Sequence, residues 1–299
     1  MQVRGLILSA GSIPPSGGAL RDAYLEENGL AELVKADVSF DAVRTDLEAV
    51  GVTIPALPEL AQASDADVSR DIQRANRSRW LELASLVDDA LATRIEPLIR
   101  ESELSAVRAF NYLEDHELGD RAHRAIHRAA FVRRGLFGCP ITLRDGFLWT
   151  NCSSHVAHIR LGFSAEVVSD FECSLCGRLV EECDHDMGST YEVYTERNEA
   201  GLCGLHGRDD CDHPMGEPFR VTAIATARSI KATTGVAIVD RPRYPQARIS
   251  EITLGSQALV GDERLRRAAE AGALHDDMCL GPCGGFSTDF GASGFALNG

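Results

Sequence analysis

The sequences CSLCGRLVEECDHDMG at residues 173–188 and CGLHGRDDCDHPMG at residues 203–216 decide the expected architecture of this chain. Each has a Cys-x-Leu-(Cys or His)-Gly-Arg turn, a short spacer, and then Cys-Asp-His-x-Met-Gly. Each offers four thiol or imidazole ligands, the number that a closed tetrahedral zinc site uses. The shared flanking residues indicate a tandem duplication. We therefore expect two structural zinc ions, held by Cys173, Cys176, Cys183 and His185 in the first knuckle and by Cys203, His206, Cys211 and His213 in the second.

The spacing within each knuckle favours a scaffold metal over a catalytic one. The two-residue gap between Cys173 and Cys176 lets both thiolates face one ion, and Gly177 allows the left-handed backbone that such turns need. In the second copy His206 replaces a thiolate and the spacer is two residues shorter. A duplicated module can lose its metal and keep its turn, so that alternative stays open for the second copy. Four protein ligands leave no position for activated water, and the metals should contribute folding energy.

The remaining cysteines and histidines give weaker patterns. His123 and His127 share a helix face, but no Glu lies between them and the surroundings are rich in arginine, which predicts a solvated face. Cys139 has no partner in the sequence and is expected to be a small core residue. A third metal site is possible at Cys152, His155, Cys279 and Cys283, which could meet and hold the Gly-rich tail in place. The alternative, which also stays open, is that they are ordinary buried cysteines and exposed histidines.

Composition and charge exclude several classes of function. The chain has 299 residues and is 44% hydrophobic, which is enough for one large or two medium domains. Its formal net charge is −15. No apolar run approaches the length of a membrane span, and the apolar stretch at the N-terminus is short for a secretion signal. Most of the nine cysteines lie at metal spacing, which favours a reducing compartment, either the cytoplasm or a particle assembled there.

The charge around the knuckles argues against nucleic acid as a partner. Between residues 170 and 215 there are 12 acidic residues and three arginines. Zinc modules that grip phosphate need the opposite balance, because Lys and Arg supply most of the affinity through counterion release. We expect protein partners and no membrane.

The fold class that we expect is α+β, with a helical N-terminal region and a β-rich domain that carries the tandem knuckles. Residues 1–135 should be mainly helical, with helices over 20–34 and 39–51, a long run from Asp65 or Asp67 that Pro97 interrupts, and a last helix from 120 to 134 that Gly135 ends. Residues 136–255 should be β-rich, and Asp145-Gly146 predicts a hairpin. Residues 256–299 should contain a helix and a Gly-rich tail.

Two segments of the β-rich region resemble a known family. They are Gly162-Phe163-Ser164-Ala165-Glu166-Val167 and the stretch from Val236-Ala237-Ile238-Val239-Asp240-Arg241-Pro242 through Ala247-Arg248-Ile249. Over about residues 155–255 they resemble the Gly-x-Ser strand and the valine-rich, Ala-Arg-Ile segment of phage capsid maturation (prohead) protease-like proteins. Some of those proteins carry a Cys-x2-Cys…Cys-x-His insert between the two segments. The resemblance implies that Ser164 matches the nucleophile, which would need an upstream histidine as general base.

Two hypotheses about function follow. The first is a non-enzymatic, zinc-stabilised structural or adaptor protein that mediates protein–protein assembly, as a homo-oligomer or as a component of a phage or phage-like particle. The alternative is a serine peptidase with Ser164 as nucleophile. No histidine sits in a recognisable motif for that role, and a serine without a placed base is not a catalyst, so the first hypothesis is preferred.

Overall fold

The structure is a computed structural model that describes residues 3–5, 18–58, 66–197, 201, 203, 214–242, 244–254 and 262–283. The chain forms two compact units. The first, here the helical unit, contains Met1–Ser164 and Ile238–Gly299, and the second, here the strand unit, contains Ala165–Ala237. The predicted order of helices first and strands later is confirmed. The predicted domain boundaries at residues 135 and 255 stay a prediction.

Four long helices build most of the helical unit. They are α1 (Gly18–Glu48), α2 (Ala66–Ala84), α3 (Asp89–Leu113) and α4 (Gly119–Leu136). Helix α3 packs most extensively against α1 and α4, and α2 packs against α4. The largest fully buried side chains of the described residues come from all four helices and include Trp80, Phe110, Phe131, Leu47 and Ile95.

Several predicted helix boundaries are wrong, each for a local reason. Helix α1 is continuous through Ser39, because the inward positions Leu33, Ala36, Phe40 and Val43 keep helical spacing across it. The long run from residue 65 is instead two helices, divided where the Asp88 carboxylate accepts the Leu91 backbone N–H at 2.8 Å and begins α3.

Two further boundaries concern proline and glycine. Pro97 does not interrupt α3, although it lies in the interior of that helix. Helix α4 continues through Gly135, and Gly138 is the residue with the left-handed backbone, at φ 83°. A side chain at Gly135 would place its Cβ 2.1 Å from Cδ2 of Trp80, so this glycine is needed for packing.

A small antiparallel sheet completes the helical unit. Its strand order is β1 (Val3–Gly5), β8 (Ile249–Leu254), β3 (Phe147–Thr150) and β2 (Thr142–Arg144). The predicted Asp-Gly hairpin joins β2 to β3, with positive φ at both Asp145 and Gly146. Short helices α5 (Ser153–Val156) and α6 (Glu263–Glu270) follow, with a 3₁₀ turn at Met278–Leu280.

The described residues of the strand unit form two two-stranded ribbons and include few buried side chains. Strand β4 (Gly162–Cys173) pairs with β7 (Ala225–Val239), and β5 (Thr190–Tyr194) pairs with β6 (Pro218–Thr222). The chain between β4 and β5 includes a 3₁₀ turn at Val180–Glu182. Among the described residues of this unit only Cys173, Thr195, Cys203 and Ala223 are buried. Apolar burial by these residues is too small to stabilise a module of this size.

A buried ion cluster ties α3 to the segment that precedes β8. The Glu114 carboxylate, 8% exposed, accepts from Arg160 Nε at 2.9 Å and also contacts Nη2 of Arg160 and Nη2 of Arg248. Arg241 Nη1 lies 3.5 Å from the same carboxylate. Burial and the neighbouring charge of Arg160 lower the pKa of Arg248 to about 10. This cluster holds Arg248 of the Ala-Arg-Ile segment in the interior.

No helix within the described ranges is both long enough and apolar enough to cross a membrane.

Candidate metal centres

The first predicted knuckle brings its four side chains together at the end of β4. Cys183 Sγ lies 3.4 Å from Cys176 Sγ and 3.2 Å from His185 Nδ1, and Cys173 Sγ lies 3.6 Å from His185 Nδ1. Zinc–nitrogen bonds of about 2.0–2.1 Å and zinc–sulfur bonds of about 2.3 Å give tetrahedral edges of roughly 3.3–3.8 Å. The observed separations are therefore close to those of four ligands on one ion.

Local backbone geometry explains why these residues converge. Gly177 has φ 68°, and its N–H donates to the Cys173 carbonyl at 2.9 Å, which closes the first turn. The backbone N–H of Leu175 donates to Cys173 Sγ at 3.4 Å, and that of His185 donates to Cys183 Sγ at 3.3 Å. The backbone N–H of Arg178 lowers the pKa of Cys176 to about 6. Burial instead raises the pKa of Cys183 to about 11. The site therefore favours the thiolate, the form of cysteine that binds metal, at Cys176.

Most of the second predicted knuckle lies outside the described residues. Cys203 is described, is buried, and forms an isolated β-bridge with Arg197. His206, Cys211 and His213 are not among the described residues. The second zinc site therefore stays a prediction.

A cluster of three buried thiols lies in the helical unit. Cys279 Sγ lies 3.9 Å from Cys139 Sγ and 3.7 Å from Cys152 Sγ, and none of the three residues is more than 1% exposed. We call it the thiol triad. The prediction that Cys139 is a core residue is confirmed, but its neighbours in space were not foreseen. Zinc–sulfur bonds of about 2.3 Å would put sulfurs about 3.8 Å apart, which matches both separations.

The surroundings of the thiol triad favour a negative charge on Cys139 alone, because hydrogen bonds shared among the three thiols raise the pKa of Cys152 to about 12 and that of Cys279 well above its ordinary value. Hydrogen bonds from the thiols of Cys152 and Cys279 lower the pKa of Cys139 to about 4, and the Arg133 guanidinium adds to that effect. Arg133 also pairs with Glu103, with Nε 2.5 Å from Oε2, and burial raises the pKa of Glu103. The triad could hold a cation through three sulfurs once the thiols of Cys152 and Cys279 lose their protons to metal binding.

A second cluster in the helical unit consists of His123, His127, His158 and Cys283, here the histidine quartet. The prediction that His123 and His127 occupy a solvated helix face is wrong: they are 3% and 7% exposed. Burial, followed by the positive charge of neighbouring imidazoles, lowers the pKa of both histidines to about 3. The arginines of α4 point elsewhere, for example Arg121 and Arg128 to Asp37.

The four residues considered for a third site do not meet in one place. Cys152 and Cys279 belong to the thiol triad, whereas Cys283 belongs to the histidine quartet. His155 Nδ1 lies 2.9 Å from Asp276 Oδ2, and Thr150 donates to the same oxygen at 2.7 Å. Of the two readings left open by the sequence, convergence of these four residues on one site is therefore wrong.

Ser164, the residue that the family resemblance matches to a nucleophile, lies half buried on β4. The upstream histidines considered as its general base have other partners. His155 pairs with Asp276, His116 Nδ1 accepts from the Leu118 N–H at 3.2 Å, and the others belong to the histidine quartet. The peptidase alternative gains no support from this arrangement.

A cavity of about 530 Å³ in the helical unit is lined by apolar residues such as Phe110 and Ile159 and by polar ones such as Glu103, Arg160 and Arg248. Its buried arginine charges are paired within the protein, because Glu114 binds both Arg160 and Arg248. The lining is consistent with structural ion pairing.

Three groups of cysteine and histidine residues in the described part of the chain could therefore hold a metal ion. The eight cysteines that the structure describes are all thiols rather than disulfides. Comparisons with protein-family models, with curated proteins and with solved structures find no match to this chain.

Proposed function

We propose that the chain is a zinc-stabilised structural or adaptor protein, in which the knuckle of Cys173, Cys176, Cys183 and His185 holds the strand unit in shape for a protein partner. The observation that carries the proposal is the convergence of these four ligand atoms at tetrahedral separations. Thiolate and imidazole ligands suit zinc, and four protein ligands leave no open position for a substrate. The metal therefore serves folding.

The few buried residues described in the strand unit support a folding role for the metal. The four that are buried offset little of the conformational entropy that the described residues of this unit lose on folding. In modules of this kind the free energy of metal binding stabilises the fold directly. We infer that zinc supplies the cross-link that an apolar core would otherwise supply.

The surface of the strand unit supports a protein partner. The acidic residues of the knuckle region repel phosphate, which disfavours nucleic acid. Large apolar side chains are exposed on the same unit, among them Phe171, Tyr194, Ile224 and Val236. Exposed aromatic and aliphatic side chains are typical of protein interfaces. A homo-oligomer or a larger assembly, such as the phage-like particle that the family resemblance implies, fits this surface.

Substitution of one knuckle ligand tests the proposal. Cys176→Ser should release one zinc per chain and remove hydrogen-exchange protection from paired strands β5 and β6. The emission of Trp80 and Trp149, both buried in the helical unit, should change little. The matched control is Asp184→Asn, which alters an exposed neighbour paired with Arg178 at 2.9 Å and should keep the metal. Unchanged zinc content and exchange protection in Cys176→Ser would contradict the proposal.

The assembly part of the proposal has its own measurement. Light scattering of the zinc-loaded protein should give a mass that is a multiple of the 32.3 kDa chain. A single-chain mass at every concentration would argue against self-assembly.

A further inference from the structure

The histidine quartet is assembled from three separate parts of the helical unit. Helix α4 supplies His123 and His127, four residues apart on one face that is turned inward. His158 follows α5, and Cys283 follows the 3₁₀ turn at Met278–Leu280. The sequence separation between His123 and Cys283 is 160 residues. A bond network at this point therefore closes a very long loop of chain.

The separations within the quartet are those of ligands around one ion. His123 Nε2 lies 3.2 Å from Nε2 of His127 and 3.2 Å from Nε2 of His158. Cys283 Sγ lies 3.1 Å from His158 Nε2 and 3.9 Å from His123 Nε2. Zinc bonds of about 2.0–2.1 Å to nitrogen and about 2.3 Å to sulfur give edges of roughly 3.3–3.6 Å. All four ligand atoms lie within 4.8 Å of one another, so they face a common centre.

The hydrogen-bond chemistry of His158 indicates what that centre must be. A backbone carbonyl only accepts, so the contact of 2.5 Å between His158 Nδ1 and the Ser154 carbonyl places a proton on Nδ1. In the neutral ring, Nε2 then presents a lone pair toward the other ligands. Metal-bound histidines commonly have this arrangement, in which the remote N–H is fixed by a backbone carbonyl or a carboxylate.

Hydrogen bonds between neutral groups pair these four atoms only two by two, for example a Cys283 S–H with His158 and one N–H shared by His123 and His127. They leave the other short contacts of the quartet without a proton between the two atoms. The site is shielded from water, because His123 and His127 are buried beside each other and beside Phe110, whose ring centroid lies 5.3 Å from that of His123. One cation at the centre satisfies all four acceptors together.

We propose that His123, His127, His158 and Cys283 bind one zinc ion, which fastens the segment that ends at Cys283 to α4 and to the turn after α5. Imidazole and thiolate ligands favour zinc among the common divalent metals, and four protein ligands make the site structural. This centre lies in the helical unit and is independent of the knuckle of the strand unit. It adds a second structural metal to a chain whose first is proposed at Cys173–His185.

The proposal is tested by zinc content in ligand and control variants of the full chain. Cys283→Ser and His127→Gln should each lose one zinc relative to the unaltered protein. The double variant should also lose only one, because both residues bind the same ion. His116→Gln is the matched control: its ring is partly exposed and lies 3.9 Å from Glu26, and the variant should keep every zinc.

Two further measurements separate loss of zinc from loss of the fold and this centre from the knuckle. Cys283 is only half buried, so Cys283→Ser should retain the far-UV circular dichroism of the helices even if His127→Gln does not fold. Combination of Cys283→Ser with Cys176→Ser should remove two zinc ions, which separates this centre from the knuckle. Full zinc content in correctly folded Cys283→Ser and His127→Gln would overturn the inference, whatever the result for Cys176→Ser. Full content in Cys176→Ser alone would contradict the knuckle proposal instead.

Discussion

Removal of the charge of Glu114 is expected to destabilise the helical unit strongly. The Glu114 carboxylate is 8% exposed and contacts the guanidinium groups of Arg160 and Arg248, which are 9% and 7% exposed. Glu114→Gln keeps the size of the side chain but leaves both arginines buried without a counter-charge. Removal of one partner from a buried ion pair typically costs about 3–5 kcal/mol.

The geometry supports a value in that range. At the 2.9 Å separation between Arg160 Nε and Glu114 Oε2, an effective dielectric constant of about 20 gives an attraction of roughly 6 kcal/mol for unit charges. The glutamine amide recovers part of this by hydrogen bonding. A loss of about 3–5 kcal/mol would be a third or more of the stability of many domains, so urea denaturation should detect it as a lower midpoint.

The neighbouring residue provides a matched control. Asp115 pairs with Arg241 at 2.8 Å, but its side chain is 63% exposed. Asp115→Asn should therefore cost about 0–1 kcal/mol, as exposed ion pairs do. Zinc content must be equal in the samples compared. Equal midpoints for Glu114→Gln and Asp115→Asn would refute the argument that burial makes the Glu114 cluster costly to break.

Two other substitutions probe the packing and the pH response of the same unit. Gly135→Ala should lower the thermal midpoint by an amount equivalent to roughly 1–3 kcal/mol, because its Cβ would lie 2.1 Å from Trp80. In a double-mutant cycle, Trp80→Phe should relieve part of that loss of stability. Additive effects of the two substitutions would contradict the contact between residues 135 and 80. His155→Gln should cost most stability between about pH 4 and pH 6.5, by linkage with Asp276. Burial raises the pKa of Asp276, but hydrogen bonds from His155 and Thr150 outweigh it and lower the pKa below its ordinary 3.8, so that contribution disappears as pH falls through the lowered pKa. Burial lowers the pKa of His155, but Asp276 outweighs it and raises the pKa above 6.5, so the second contribution disappears as pH rises through the raised pKa; a constant difference across urea denaturations from pH 4 to 9 would argue against the pair.

The sequence predicts that Cys173, Cys176, Cys183 and His185 lie together, but it does not predict the histidine quartet, and the difference is one of sequence distance. The ligands from Cys173 to His185 lie in two adjacent turns, so local spacing carries their geometry. Cys283 meets His123 only through the packing of α4 against the C-terminal segment. Spacing alone cannot reveal a contact of that kind.

A usable signal for the quartet was nevertheless present on α4. His123 and His127 share helical spacing with Ala122, Ile126 and Ala130, all of which are buried. The arginines between and beside these histidines suggest a solvated helix face, but they lie on the other side of the helix. Two histidines on an apolar helical stripe therefore indicate an interior pair.

Local rules also failed where tertiary packing decided the outcome. Gly135 looked like a helix end, whereas its lack of a side chain makes room for Trp80 on α2. By contrast, the Asp145-Gly146 hairpin was predicted correctly, because positive φ at both positions is a property of the turn itself.

Zinc content per chain in natively purified protein, compared with Cys176→Ser and Cys283→Ser, tests the central claim most directly. The account predicts at least two zinc ions in the unaltered protein and a loss of one in each variant. A zinc-to-protein ratio near zero in folded, unaltered protein would contradict it.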